Sequence, residues 1–183
     1  MAHMGKNYIV TTGTGSGKTE CFILPILDDI LREQARSGLS AGVRAMILYP
    51  MNALANDQLK RLRHLLKGTK ITFGRYVGDT PEKRPDAQSA WSVDHPSEDP
   101  LSNELLSREE MRATPPNILL TNYSMLEYLL LRPKDAAFFS SVFGSSWRHI
   151  AIDEAHVYSG TLGTEITDRK STRLNSSHAL ASR

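Results

Sequence analysis

The sequence predicts an α/β fold with a largely parallel central sheet and helices on both faces. Three observations point there. Strand-like and helix-like segments alternate along most of the chain. A Gly-rich loop, Thr12-Gly13-Thr14-Gly15-Ser16-Gly17-Lys18-Thr19, follows a short apolar run. An acidic pair, Asp153-Glu154, closes another apolar run 135 residues downstream of Lys18.

The elements follow in order. Tyr8-Ile9-Val10-Thr11 is apolar and β-branched and reads as a buried strand. The loop after it turns tightly at Gly13, Gly15 and Gly17, which brings backbone N–H groups close to an anion. A helix opening near Lys18 adds unpaired N–H groups and its positive dipole end. Phe22, Ile23, Ile26, Leu27, Ile30 and Leu31 form the apolar stripe of that helix, with a kink expected at Pro25 and a packing role for Cys21. Val43 to Tyr49 reads as a strand that stops at Pro50. Asn52 to Leu66 reads as a helix whose stripe is Ala55, Leu59, Leu62 and Leu66.

Ile71 to Val77 is the next strand. Residues 80–100 are rich in Pro, Asp and Ser and read as an exposed insertion. Ser107 with Glu110 three residues on has the spacing of a capping box for a short helix. Asn117 to Thr121 is strand-like and Tyr123 to Leu131 helical. Trp147 to Ile152 is expected to be a central strand ending in the acidic pair.

The chemistry sits at the two loops. Lys18 can reach the β and γ phosphates of a nucleotide as a point charge, and the Thr19 hydroxyl can hold Mg²⁺. The usual pattern has Gly where this chain has Thr12. Acidic residues at the carboxyl end of a parallel strand point into the crevice where such sheets bind ligands. Asp153 is therefore read as a Mg²⁺ ligand, direct or through water, and Glu154 as the base that orients and deprotonates a water. His156 lies further along and is read as a sensor of the γ phosphate. A strand-to-helix Gly/Ser turn and a solvated acidic loop are the plain alternatives, and the two motifs in one chain argue against both.

Composition sets the bounds. The 183 residues, 40% hydrophobic and 23% charged, suit one soluble domain with a sizeable core. The single cysteine excludes a disulfide framework and suits a reducing cytoplasm. No apolar run is long enough to cross a bilayer, and the amino end lacks a signal-peptide core. The string from Asp168 to His178, DRKSTRLNSSH, resembles the conceptual translation of a sequencing adapter, so residues 168–183 are expected to be a non-native tail. They carry four Lys/Arg against one Asp, and without them the net charge falls from +2 to −1. The basic isoelectric point of 8.7 is then no argument for nucleic-acid binding.

The motifs together resemble the first, RecA-like motor domain of superfamily 2 helicases, a P-loop NTPase fold, over roughly residues 5–167. Pro50-Met51-Asn52-Ala53-Leu54-Ala55-Asn56-Asp57-Gln58 is similar to that family's motif Ia. Gly78-Asp79-Thr80-Pro81 with Arg84 resembles the segment that follows it, and Leu119-Leu120-Thr121-Asn122 with Met125-Leu126 resembles motif Ib. Val157-Tyr158-Ser159-Gly160 after the acidic box is closest to the DEAD/DEAH-box branch that holds the bacterial mitomycin-repair helicases and their RecQ-like relatives.

The resemblance implies ATP and Mg²⁺ as cofactors and nucleic acid, DNA before RNA, as partner. It implies backbone contacts from Pro50 and Asn52 at a helix start, close approach at Gly78, and contacts from Thr121 and Asn122. Lys60, Arg61 and Arg63 read first as a solvated helix face and second as a basic patch. Tyr123 and Tyr128 read first as core and second as base-stacking residues. The adenine-contacting segment, the coupling motif, and the second motor domain with its arginine finger are expected to lie outside this chain, so the fragment alone is expected not to unwind. Two alternatives stand beside the helicase reading. One is a restriction or phage-defence motor that translocates without unwinding; the other is a non-motor P-loop kinase or nucleotide switch.

Overall fold

The computed structural model describes residues 7–11, 17–140 and 142–158, apart from the side chains of His156 and Tyr158. The expected tail, residues 168–183, lies outside them. The chain divides into two units, Met1–Ser40 and Ala41–Arg183.

The first unit carries helix α1, Lys18–Ser37. It is closed at its carboxyl end by Gly38, whose φ of 77° is a left-handed conformation that glycine adopts without a Cβ clash. Ile23, Ile26 and Ile30 are buried, whereas Leu31 is exposed. Pro25 lies inside α1 without dividing it, and Cys21 is exposed rather than packed. The strand expected at residues 8–11 does not form; Tyr8, Ile9 and Val10 are exposed, Ile9 to 91%. A β-branched run supplies propensity, but a strand exists only where a neighbour completes its hydrogen bonds.

The second unit is built on five parallel strands: β1 (Ala45–Tyr49), β2 (Phe73–Tyr76), β3 (Glu104–Leu105), β4 (Ile118–Asn122) and β5 (His149–Ile152). Their spatial order is β3-β2-β4-β1-β5. Strand β1 is paired on both sides and buried along its whole length, as expected of a parallel strand covered on both faces. Strand β5, expected to be central, stands at the edge of this sheet and is only half-buried.

Side-chain alternation divides the sheet into two faces. On one, Met46, Leu48, Leu119 and Tyr76 form a core with Met111, Met125, Leu129 and Phe138. Those last residues come from α4 (Arg108–Ala113), α5 (Tyr123–Leu131) and the 3₁₀ helix Pro133–Phe139. Helix α2 (Asn52–Leu66) lies against β1, β2 and β4 and buries Ala55, Leu62 and Leu66. The residues alternating with the first set, Ala45, Ile47 and Tyr49 on β1, belong to the other face. Ser107 caps α4 with the expected reciprocal pair: its hydroxyl accepts the Glu110 N–H, and the Glu110 carboxylate accepts the Ser107 N–H.

The segment read as an exposed insertion is mostly exposed, and it is organised around α3, Arg84–Asp94. Ala87 and Trp91, one turn apart, are its buried pair. The Trp91 indole donates to the Glu98 carbonyl at 2.7 Å, stacks on His95 at 4.2 Å and lies 4.0 Å from the Arg63 guanidinium. Arg63 in turn pairs with the buried Glu104 at 3.0 Å. Arg63 is thus an internal tie between α2, α3 and β3, neither a solvated face nor a basic patch.

Burial pushes the Glu104 carboxyl up to about 7, with Arg63 opposing the shift. A carboxyl whose folded value is raised binds its proton more tightly in the native state than in the unfolded chain. Stability is therefore expected to be full at acid pH with respect to this group and to fall as pH rises from about 4.5 towards 7. Glu104→Gln is expected to remove that part of the slope in denaturant melts across this window. An unchanged slope would contradict the assignment.

Candidate nucleotide and nucleic-acid sites

Five of the residues expected to bind nucleotide, Thr12, Gly13, Thr14, Gly15 and Ser16, lie outside the described residues. Gly17 is described, and its φ of 77° and ψ of 24° place it in the left-handed region. Its carbonyl accepts the N–H groups of Glu20, at 3.1 Å, and Cys21, at 3.4 Å, which starts α1 immediately after it. No side chain caps this end. The first helical residues, Lys18 and Thr19, therefore sit where N–H groups have no intrahelical acceptor and the dipole favours an anion. Lys18–Thr19 is thus an uncapped helix start preceded by a left-handed glycine, Gly17.

The acidic pair follows β5 directly. The Asp153 N–H donates to the Leu48 carbonyl at 2.9 Å, which extends the β1–β5 ladder by one residue. Its carboxylate accepts the Glu154 N–H at 2.9 Å. Glu154 then takes φ 49°, the single positive φ of a non-glycine among the described residues. That conformation costs an L-residue about 1 kcal/mol or more. A 3₁₀ turn, Ala155–Tyr158, follows, with Val157 N–H on the Glu154 carbonyl. The sharp reversal keeps Asp153 at the strand end and turns Glu154 away from the ladder. The His156 side chain is outside the described residues.

The donor set fits a magnesium ion. Mg²⁺ takes oxygen ligands and is bound through one or two carboxylates, with waters and phosphate oxygens completing its shell. Among the described residues no cluster of three or more metal-ligating side chains forms, so a closed protein cage of the zinc or calcium kind is not what this edge presents.

Beside Asp153, Tyr49 ends β1. It is fully buried, and its hydroxyl has no hydrogen-bond partner among the described residues. Burial first, and the Asp153 charge second, raise its phenol well above the usual tyrosine range, against the opposing charge of Arg61.

The nucleic-acid candidates divide. Asn52 and Asn122 are brought together: the Asn122 amide donates to the Asn52 side-chain oxygen at 2.7 Å. The Asn122 oxygen accepts the Met125 N–H at 2.8 Å and so caps α5. Pro50 is half-buried at the turn leading to α2, whose first residue is Asn52 and whose amino end has no side-chain cap. Gly78 is exposed, and a Cβ there would meet nothing within 4 Å, so the protein itself does not demand glycine.

Thr121 is a correction. It is fully buried, and its hydroxyl donates to the Tyr76 carbonyl at 2.6 Å, so it ties β4 to β2 and is not presented to a phosphate. Tyr128 is also corrected, being 48% exposed with the Arg132 guanidinium 4.1 Å from its ring.

Sequence reasoning missed Arg108, which donates to the Val77 and Gly78 carbonyls at 2.8 and 2.7 Å. Together with the Thr80 hydroxyl, which bonds the Arg75 carbonyl and the Val77 N–H, it fixes the turn after β2. Its position at the start of a capped helix carried no signal of that role.

Thr121→Val is expected to cost about 1 kcal/mol of stability, the net worth of one internal hydrogen bond, and to leave nucleic-acid affinity of the folded protein unchanged. Equilibrium melts and a binding titration of the same variant check both halves. Undiminished stability with weakened binding would restore the phosphate contact.

The chain matches the DEAD/DEAH box helicase family over residues 1–180. It is 29% identical to Druantia protein DruE of Escherichia coli, over 86% of this chain and 13% of that protein. It is 28% identical to the uncharacterized ATP-dependent helicase YprA of Bacillus subtilis, over 90% and 18%. With the ATP-dependent helicase Lhr-Core of Methanothermobacter thermautotrophicus it shares 31% identity, over 84% and 16%. The chain thus spans less than a fifth of the length of these relatives. No solved structure matches it. The fold, the Gly17–Thr19 helix start and the acidic pair at the end of β5 agree with the sequence match: this chain belongs to the DEAD/DEAH box helicase family.

Proposed function

We propose that this chain is the ATP-binding motor domain of an ATP-dependent DNA helicase or translocase. The observation that carries the reading is the acidic pair. A parallel strand delivers Asp153 to the carboxyl edge of the sheet, and Glu154 follows it in a left-handed backbone conformation. Strain of that kind persists where surrounding contacts over-determine it, and it concentrates at functional sites.

In this mechanism the loop Thr12–Gly17 and the first turn of α1 receive the phosphates, and Lys18 neutralises charge on the β and γ groups. Thr19 and Asp153 are the residues that would hold Mg²⁺, and a bound Mg²⁺ would offset charge developing on the transferring phosphoryl oxygens. Glu154 orients the attacking water and takes its proton, and His156 reports on the γ phosphate. Asn52 and the amino end of α2 grip a nucleic-acid backbone phosphate, with Pro50, Asn122 and the turn at Gly78 beside them. Turnover requires a second motor domain supplying an arginine. In this reading the working protein is cytoplasmic.

A motor of a restriction or phage-defence system that moves along duplex without separating strands is the second reading. A small-molecule kinase or nucleotide switch has no use for the paired Asn52 and Asn122 at a helix start beside the acidic edge.

In the full-length protein, Glu154→Gln is expected to retain ATP affinity and to lower the turnover number at least a hundredfold, the scale of general-base catalysis. Equilibrium nucleotide binding and steady-state phosphate release measure the two quantities. Turnover at the wild-type rate would remove Glu154 from the mechanism.

A further inference from the structure

The parallel register places three polar residues in one row at the carboxyl edge of the sheet. Tyr49 on β1 is the register partner of Asn122 on β4. On the other side Leu48 pairs with Ile152, and the Asp153 N–H bonds the Leu48 carbonyl, so Asp153 stands next to Tyr49 in the continued ladder. Register partners in a parallel pair project to the same face. Asn122, Tyr49 and Asp153 therefore share the face opposite the Met46–Leu48 core.

Of the three, Asn122 is hydrogen-bonded, to Asn52 and to Met125. Tyr49 differs. It is fully buried at the end of β1, and its hydroxyl has no partner among the described residues. Phenylalanine would fill that space without the cost of desolvating a hydroxyl. A buried polar atom without a partner is uncommon in a native structure and calls for a partner such as a water, an ion or a group brought in with a ligand. The neighbouring charge in the row is that of Asp153.

We propose that Tyr49 is a positioning residue for Asp153: in the nucleotide-bound state its hydroxyl donates to the Asp153 carboxylate, directly or across one water, and fixes the orientation in which Asp153 serves the Mg²⁺ site. The inference rests on the reading of Asp153 as a Mg²⁺ ligand given above. It also gives the strand end between the two sites a function. The backbone leaving Tyr49 reaches Asn52 through two residues, Pro50 and Met51, a connection that would couple a shift at the nucleic-acid grip to the donor that orients Asp153.

The test is a double-mutant cycle on the 183-residue chain, with Tyr49→Phe, Asp153→Asn and the double variant. Mg²⁺-dependent ADP binding is followed by titration calorimetry, and stability without ligand by denaturant melts. Tyr49→Phe is expected to weaken Mg²⁺-dependent binding about ten- to a hundredfold, the scale of one hydrogen bond to a charged group. It is expected to leave the ligand-free chain at least as stable, because no bond is lost there. In the Asp153→Asn background it is expected to have no further effect on binding.

Wild-type affinity in Tyr49→Phe, with Asp153→Asn weakened, would overturn the Tyr49 inference and leave the acidic-site reading standing. Equal losses from Tyr49→Phe in both backgrounds, or a destabilised ligand-free chain, would make Tyr49 a packing residue and overturn it too. Wild-type affinity in Asp153→Asn would remove the acidic-site reading and the inference with it.

Discussion

Burial of β1 on both faces and both edges is the constraint on which the rest of the second unit depends. Its five residues are each no more than 1% exposed, and every one is paired to β4. Side-chain alternation has a period of two, so a slip of one residue would exchange Met46 and Leu48 with Ala45, Ile47 and Tyr49 between two differently shaped packing faces. The register is thereby locked, and it decides which residues meet at the carboxyl edge. Asp153 stands beside Tyr49, and Tyr49 beside Asn122, because Leu48 pairs with both Ile152 and Thr121.

The polar ties outside the sheet serve that edge. Arg108 and Thr80 hold the turn after β2, Asn122 caps α5 while bonding Asn52, and Thr121 closes β4 onto β2. Each satisfies a backbone or side-chain group that burial would otherwise leave unpaired. Arg63 has the corresponding task on the far side, where it joins Trp91 of α3 to the buried Glu104. These ties are made of residues that a sequence scan takes for nucleic-acid contacts or surface charge. Their real partners lie far away in the chain: Thr121 reaches Tyr76, and Arg63 reaches Glu104.

Local signals were legible wherever the physics is local. The helices at Asn52–Leu66 and Tyr123–Leu131 begin after Pro50 and at the Asn122 cap, and Ser107 with Glu110 forms the reciprocal cap that their spacing implies. The acidic pair and the glycine at the start of α1 were readable because strand end and helix start carry their own chemistry. What was not legible depended on pairing or on distant partners. The run at residues 8–11 has strand propensity without a strand, and β5 reads as central but stands at an edge. Within 80–100, the one-turn spacing of Ala87 and Trp91 was the signal for α3, hidden among polar residues. Tyr49 looked like the last apolar residue of a strand, and only its buried, unpartnered hydroxyl sets it apart.

In the proposed motor, the carboxyl edge of the sheet joins an ATP site to a nucleic-acid grip. The most direct measurement is ATP hydrolysis by the full-length protein with and without single-stranded DNA, at fixed Mg²⁺, for wild type and for Asn52→Ala. Strong stimulation by DNA, with Asn52→Ala raising the DNA concentration required while leaving the DNA-free rate unchanged, is the predicted result. A rate indifferent to DNA, RNA and duplex alike would contradict the claim and favour a nucleotide switch.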